Sequence, residues 1–236
     1  MFVLNFVLLF VSLLSLSEAE IFSPFISNGQ DAQITEFPYL VSIQEIDVHV
    51  CGGTLLNEKW ILSAARCFAH RLITNLNIEY GHSEILPGPS GSNKALINSV
   101  ISHEDYGTSP LVNDIALAES SIPINTGFHQ PFVKLIVAGG SKFSSGTPSI
   151  HAGWGHIRLG VRTTILQKAD ADILSHQDCI EATEGTQKPS RNQICSIGKS
   201  VLCTSDLGKL LKFFWFAKRN RIFSLKDLHL PSMAFK

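Results

Sequence analysis

Apolar residues come in short runs along most of this chain, each broken by turn-forming residues within a few positions. Tyr39–Ile43, Trp60–Ser63, Asn77–Tyr80, Ala95–Ile101 and Phe132–Val137 are such runs, and each predicts a short β-strand. Gly and Pro clusters separate them, as in Pro87–Gly91 and Gly139–Gly146. Many short strands with Gly/Pro-rich turns predict an all-β domain, either a sandwich or a pair of barrels. Periodicity alone does not separate those two architectures. No internal repeat and no low-complexity tract interrupts the pattern.

The two ends depart from it. Residues 1–19 are an apolar run that finishes in Ser17-Glu18-Ala19, a small-residue cleavage pattern, although no Lys or Arg precedes the run. This reads as a secretory signal peptide rather than a membrane anchor, because a comfortable span needs about 20 apolar residues. No later stretch is apolar and long enough to span a bilayer. Residues 20–25 read as a short propeptide-like segment. At the other end, Lys209, Lys212, Lys218, Arg219, Arg221, Lys226 and Lys236 face a single acid, Asp227, and Phe213-Phe214-Trp215-Phe216 is a dense aromatic run. A basic, aromatic tail is one form that nucleic-acid or membrane-surface elements take. The reading adopted for 212–236 is an arbitrary sequence from an altered reading frame or a retained intron.

Composition narrows the class. Hydrophobic residues make up 44% of the chain and charged residues 17%, which suits a packed core, and a net charge of −1 selects no partner. In a secreted chain, five cysteines (Cys51, Cys67, Cys179, Cys195 and Cys203) predict disulfides with one sulfur left over.

Several motifs appear in a fixed order. They are Ile26-Ser27-Asn28-Gly29, Phe37-Pro38-Tyr39, His49-Val50-Cys51-Gly52-Gly53-Thr54-Leu55, Ala64-Ala65-Arg66-Cys67, Asn113-Asp114-Ile115-Ala116-Leu117, Ala152-Gly153-Trp154-Gly155 and Cys203-Thr204-Ser205-Asp206-Leu207-Gly208. Together they resemble the chymotrypsin/trypsin family of serine proteases over residues 26–211. The resemblance implies two antiparallel six-stranded β-barrels with a cleft between them. The second barrel is expected to be truncated at its C-terminal end, because the family's last strands are not recognisable after Leu211. It further implies disulfides Cys51–Cys67 and Cys179–Cys195, with Cys203 left unpaired for want of a later cysteine. No cofactor and no metal are implied.

The chemistry of the family does not carry over with the frame. Its nucleophilic serine is replaced by Leu207, which has no lone pair to attack a carbonyl. Its general-base histidine is replaced by Arg66, which stays protonated and accepts no hydrogen bond. Only Asp114 matches the three-residue arrangement of nucleophile, base and orienting acid. The oxyanion-hole positions are Ser205 and Leu207, and the family's glycine is lost at Ser205. The pocket-floor position holds Val201, which cannot neutralise a substrate Arg or Lys. Ile26 and Asp206 are the mature N-terminus and its ion-pair partner, but Phe25 precedes Ile26, so a trypsin-like activator would not cut there. Ser205 as a displaced nucleophile would need a base. His49 and His70 are read as a core and a loop histidine instead.

The expectation is therefore a secreted, extracellular, catalytically inactive homologue. Its partner would be an extracellular protein, whether a protease, an inhibitor or a host-defence component, and not a nucleic acid. The broader look of the chain is similar to arthropod digestive trypsins and to inactive paralogues in parasitic mites, which implies a binding or decoy role in proteolytic or defence pathways. Two alternatives stay open: a truncated or mis-spliced product without molecular function, and residual serine endopeptidase activity.

Overall fold

The computed structural model describes residues 29–85, 93–107, 113–129, 131–135, 144–158, 161–182, 189, 194–198 and 221–222. After a two-residue strand β1 (Gln30–Asp31) come β2 (Leu40–Glu45), β3 (Val48–Leu55), β4 (Trp60–Ser63), β5 (Leu76–Tyr80), β6 (Lys94–Ser102) and β7 (Ala116–Ser120). Strands β2 to β7 close into a barrel in the order β2-β3-β4-β7-β6-β5, with β5 returning to pair with β2. Alternation drives the closure. Val41, Ile43, Leu55, Ile61, Leu76, Ile78 and Leu117 are fully buried, and they belong to five of the six strands.

The β2–β3 connection is a two-residue turn, Ile46-Asp47, flanked by the pair Glu45 and Val48. Both turn residues have positive φ, 50° and 60°. That is the backbone a tight hairpin needs, and it usually recruits Asn or Gly. Asp47 is fixed there by Lys94 Nζ at 2.8 Å and Asn77 Nδ2 at 3.2 Å. The β-branched Ile46 is held in a conformation such side chains disfavour, and it is 72% exposed.

The second half is built on β12 (Gln167–Ile173). It is preceded by β8 (Lys134–Leu135), β9 (Pro148–Gly153), β10 (His156–Arg158) and β11 (Val161–Arg162). A short helix α1 (His176–Ala182) follows, then β13 (Ser196–Gly198) and β14 (Arg221–Ile222). Along β12 the buried positions Gln167, Ala169, Ala171 and Ile173 alternate with Lys168, Asp170 and Asp172, none of which is buried. Strand β9 runs along one edge of β12, opposite Gln167–Asp172. The other edge takes β1 at Gln167–Lys168 and β13 at Ala171–Ile173.

This corrects the expectation of two six-stranded barrels. Among the described residues one barrel is closed, and the second half holds a four-stranded open sheet and two separate two-stranded pairs, β10–β11 and β8–β14. The reason is geometric. Strands β1 and β13 share one edge of β12 end to end, so the sheet is three strands across. A twist of roughly 20–25° per strand cannot bring such a narrow sheet round to meet itself. The two halves share one core, in which Trp154, Leu166 and Val133 pack with the barrel interior. Trp154 Nε1 donates to Ser83 O at 3.0 Å, and Ala32 N donates to Leu166 O at 2.8 Å.

Candidate functional site

The pairing of β4 with β7 sets one end of the barrel. Ser63 is opposite Ala116, so the chain leaving β4 and the chain entering β7 meet at the same rim. Leaving β4, residues Ala65–Cys67 make one 3₁₀ turn, closed by Cys67 N on Ala64 O and Phe68 N on Ala65 O, both at 3.0 Å. Ala65 and Cys67 are buried, which pins the turn from below. A disulfide from Cys67 to Cys51 on β3 pins it from the side, with the Cα atoms 6.0 Å apart. Arg66, between these two anchors, is held by its neighbours. Entering β7, Asn113 adopts positive φ (55°), and Ile115 N bonds back to Asn113 O at 2.9 Å. That sharp turn aims Asp114 at the rim.

Arg66 and Asp114 meet there. The backbone N–H of Arg66 donates to Asp114 Oδ1 at 2.8 Å, and Arg66 Nε lies 3.3 Å from Oδ2. The carboxylate is 4% exposed and the arginine side chain 28%, so the acid sits beneath and the cation above it. Arg71 supports the turn from behind. Its Nη1 donates to Arg66 O at 3.2 Å and Cys67 O at 3.1 Å, and its Nε pairs with Glu45 Oε2 at 3.1 Å. Tyr106, on the β6–β7 connection, is near enough to feel both charges. Burial raises its phenol pKa, the Asp114 carboxylate raises it further, and Arg66 opposes. Sequence reasoning missed both Arg71 and Tyr106. No motif marks either, because their roles depend on folding rather than on spacing.

Among the described residues, the group that meets Asp114 at this rim is a guanidinium, which offers hydrogen-bond donors and a fixed positive charge and accepts no proton. Of the histidines, His103 lies nearest in the ladder: its backbone N–H donates to Ile115 O at 3.0 Å and its Nδ1 accepts from Asp105 N at 3.1 Å. His49 Nδ1 is 2.8 Å from Ser42 Oγ, its ring is 6.1 Å from that of Trp154, and its pKa is pushed down to about 4 by burial, then by Arg162 and His156. His70 is exposed at positive φ (62°) on the loop after Cys67. Among the described residues, no hydrogen bond joins either to Asp114. Buried His151 has Nε2 3.0 Å from Ser196 Oγ, and burial pushes its pKa down to about 4.

A second disulfide joins Cys179, buried on α1, to Cys195 just before β13, with Cα atoms 5.8 Å apart. Leu207, Ser205, Asp206, Val201, Cys203 and Ile26 lie outside the described residues. Among those described, no group of three or more His, Cys, Asp or Glu side chains is gathered so as to hold a metal ion.

A family model described as Trypsin matches residues 26–208. The chain is 30% identical over 183 residues to Ovochymase-2 of Mus musculus, a match covering 76% of this chain and 29% of that protein. It is 29% identical over 193 residues to Trypsin Tyr p 3.0101 of Tyrophagus putrescentiae, covering 78% and 66%. It is 34% identical over 158 residues to Transmembrane protease serine 9 of Rattus norvegicus, covering 65% and 15%. The chain thus spans less than two thirds of the length of each of these relatives. Among solved structures, its fold is similar to that of neuropsin, a serine protease expressed in the limbic system of mouse brain. The TM-score is 0.66 at 19% identity, over 83% of each chain.

Proposed function

Because the chain belongs to the trypsin family, we propose that it is a secreted member without proteolytic activity, which acts by binding an extracellular protein or as a decoy for one. The partner classes are a protease, an inhibitor or a host-defence component. The observation that carries this reading is the contact of Arg66 with Asp114. A permanently protonated guanidinium stands 3.3 Å from the carboxylate at the place where the family's base would be oriented. The residue types at the other positions point the same way. Leu207 offers no nucleophile, and Val201 offers no charge to a basic substrate.

The test is direct. The purified chain is incubated with peptide and ester substrates and with a serine-directed phosphonate. No turnover and no labelling are expected. Labelling at Ser205, or turnover abolished by Ser205→Ala, overturns the reading. Leu207→Ser alone is not expected to confer activity, since Arg66 still cannot accept a proton. Export is tested separately by sequencing the N-terminus of material from the culture medium, which is expected to begin after Ala19.

A further inference from the structure

Arg66 has more hydrogen-bonding capacity than Asp114 absorbs. A guanidinium carries five N–H groups in a planar fork. The Nε edge faces Asp114, and the other carboxylate oxygen is taken by the backbone N–H of Arg66 itself. Among the described residues, no hydrogen bond reaches Nη1 or Nη2. The two charges of the pair cancel in sum but not in position, because Asp114 lies beneath the surface and Arg66 reaches it. Arg71, close behind, has its Nε and Nη1 occupied by Glu45 and two backbone carbonyls, so it does not compete for the same ligand. The Tyr106 phenol, which feels both charges, is pushed up by burial and by Asp114, so it adds no second anion.

We infer that the outer edge of the Arg66 guanidinium is a docking point for the carboxylate of an Asp or Glu side chain on a protein partner. The fork matches a carboxylate in two parallel N–H···O bonds, which are among the stronger polar contacts proteins make. The cation is already oriented by Asp114 and by the disulfide-pinned turn, so little side-chain freedom is lost on binding. This inference rests on the binding-protein reading above and deepens it by naming the chemistry the partner brings.

The test is a titration of the isotope-labelled full chain, followed by NMR at the Arg66 Nε–H. The probes are acetyl-Ala-Glu-Ala-amide, its Gln counterpart, and acetate alone. The Glu peptide should bind at least about tenfold more tightly than the Gln peptide and shift the Arg66 signal. Arg66→Gln should abolish that preference, and Arg66→Lys should retain part of it. Equal binding of the two peptides, no binding of the Glu peptide, or shifts confined to other residues would overturn the inference. Acetate binding as tightly as the Glu peptide would also overturn it, by assigning a small-anion site rather than a protein contact. The wild-type comparison decides the matter even if the Arg66 variants fold poorly. Hydrolysis of either peptide would instead sink the inactive reading, so the two failures are distinguishable.

Discussion

Arg66 meets both oxygens of the Asp114 carboxylate, one through its backbone N–H at 2.8 Å and the other through its side-chain Nε at 3.3 Å. The two contacts differ in what a substitution can remove. The backbone bond depends on the turn and survives any change of side chain. The ion pair does not.

Arg66→Ala should therefore cost only about 1–2 kcal/mol, because the buried carboxylate keeps its backbone donor. Asp114→Ala removes the acceptor of both contacts and should cost more, about 3 kcal/mol. The double variant should fall short of the sum by about 1 kcal/mol. Urea denaturation of the four proteins measures the coupling, and strict additivity would show that the pair contributes nothing.

Neighbouring glycines on β3 should differ in their tolerance of alanine. A Cβ at Gly53 would sit 2.7 Å from Ile61 Cγ2 and 2.9 Å from Val41 Cγ2, whereas one at Gly52 meets nothing within 4 Å. Gly53→Ala should destabilise by about 2 kcal/mol through overpacking against stiff β-branched side chains, and Gly52→Ala by no more than about 0.5. Equal melting temperatures for the two variants would contradict the barrel register.

Acid should weaken the fold before the carboxylates titrate fully. His49 and His151 have folded pKa values near 4, below the ordinary 6.5. Between those values the unfolded chain binds more protons, so stability is full above about 6.5 and is lost as the pH falls towards 4. The loss is on the order of 2 kcal/mol per histidine. His151→Gln, which stays neutral, should flatten part of that slope. Denaturation curves at pH 7 and 4.5 test this, and a protein equally stable at both would rule it out.

The Cys51–Cys67 bond should matter locally as well as globally. It closes a loop with a sequence separation of 16, for which chain entropy gives about 3 kcal/mol. Replacing both cysteines with Ser should also speed hydrogen exchange at the Arg66 amide, since the turn loses its lateral anchor. Removing Cys179–Cys195 should leave that amide unchanged. Equal exchange at Arg66 in both variants would show that the disulfide does not hold the site.

Where one face of a strand meets the barrel core, the sequence announces it. Trp60–Ser63 is a strand over the residues expected, Asn77–Tyr80 differs from β5 by one residue at its start, and Ala95–Ile101 differs from β6 by one residue at each end. The second half was harder to read. The alternation on β12 uses Ala against Asp and Lys, too weakly hydrophobic to stand out as a strand. Helix α1 went unnoticed, although Ser175 and Asp178 cap it reciprocally: Asp178 N donates to Ser175 Oγ at 3.0 Å and Ser175 N to Asp178 Oδ2 at 3.3 Å. That three-residue spacing was a usable signal. The open sheet was not legible, because two strands sharing one edge of a third is a matter of pairing rather than of pattern. At the site, the motifs located Arg66 and Asp114, but nothing in them said that the backbone of residue 66 would also be a donor.

The barrel's connectivity has a consequence for biosynthesis. All six of its strands lie between Leu40 and Ser120, and each pairs only with strands of that same stretch. Once Ser120 has cleared the ribosome, every partner the barrel ladder requires is already present. Folding can then proceed from the N-terminal side while the remaining half of the chain is still being made. Arg66 and Asp114 both belong to this early unit. Their juxtaposition thus needs no strand pairing from the sequence that follows, which contributes instead to the core beneath through Val133, Trp154 and Leu166.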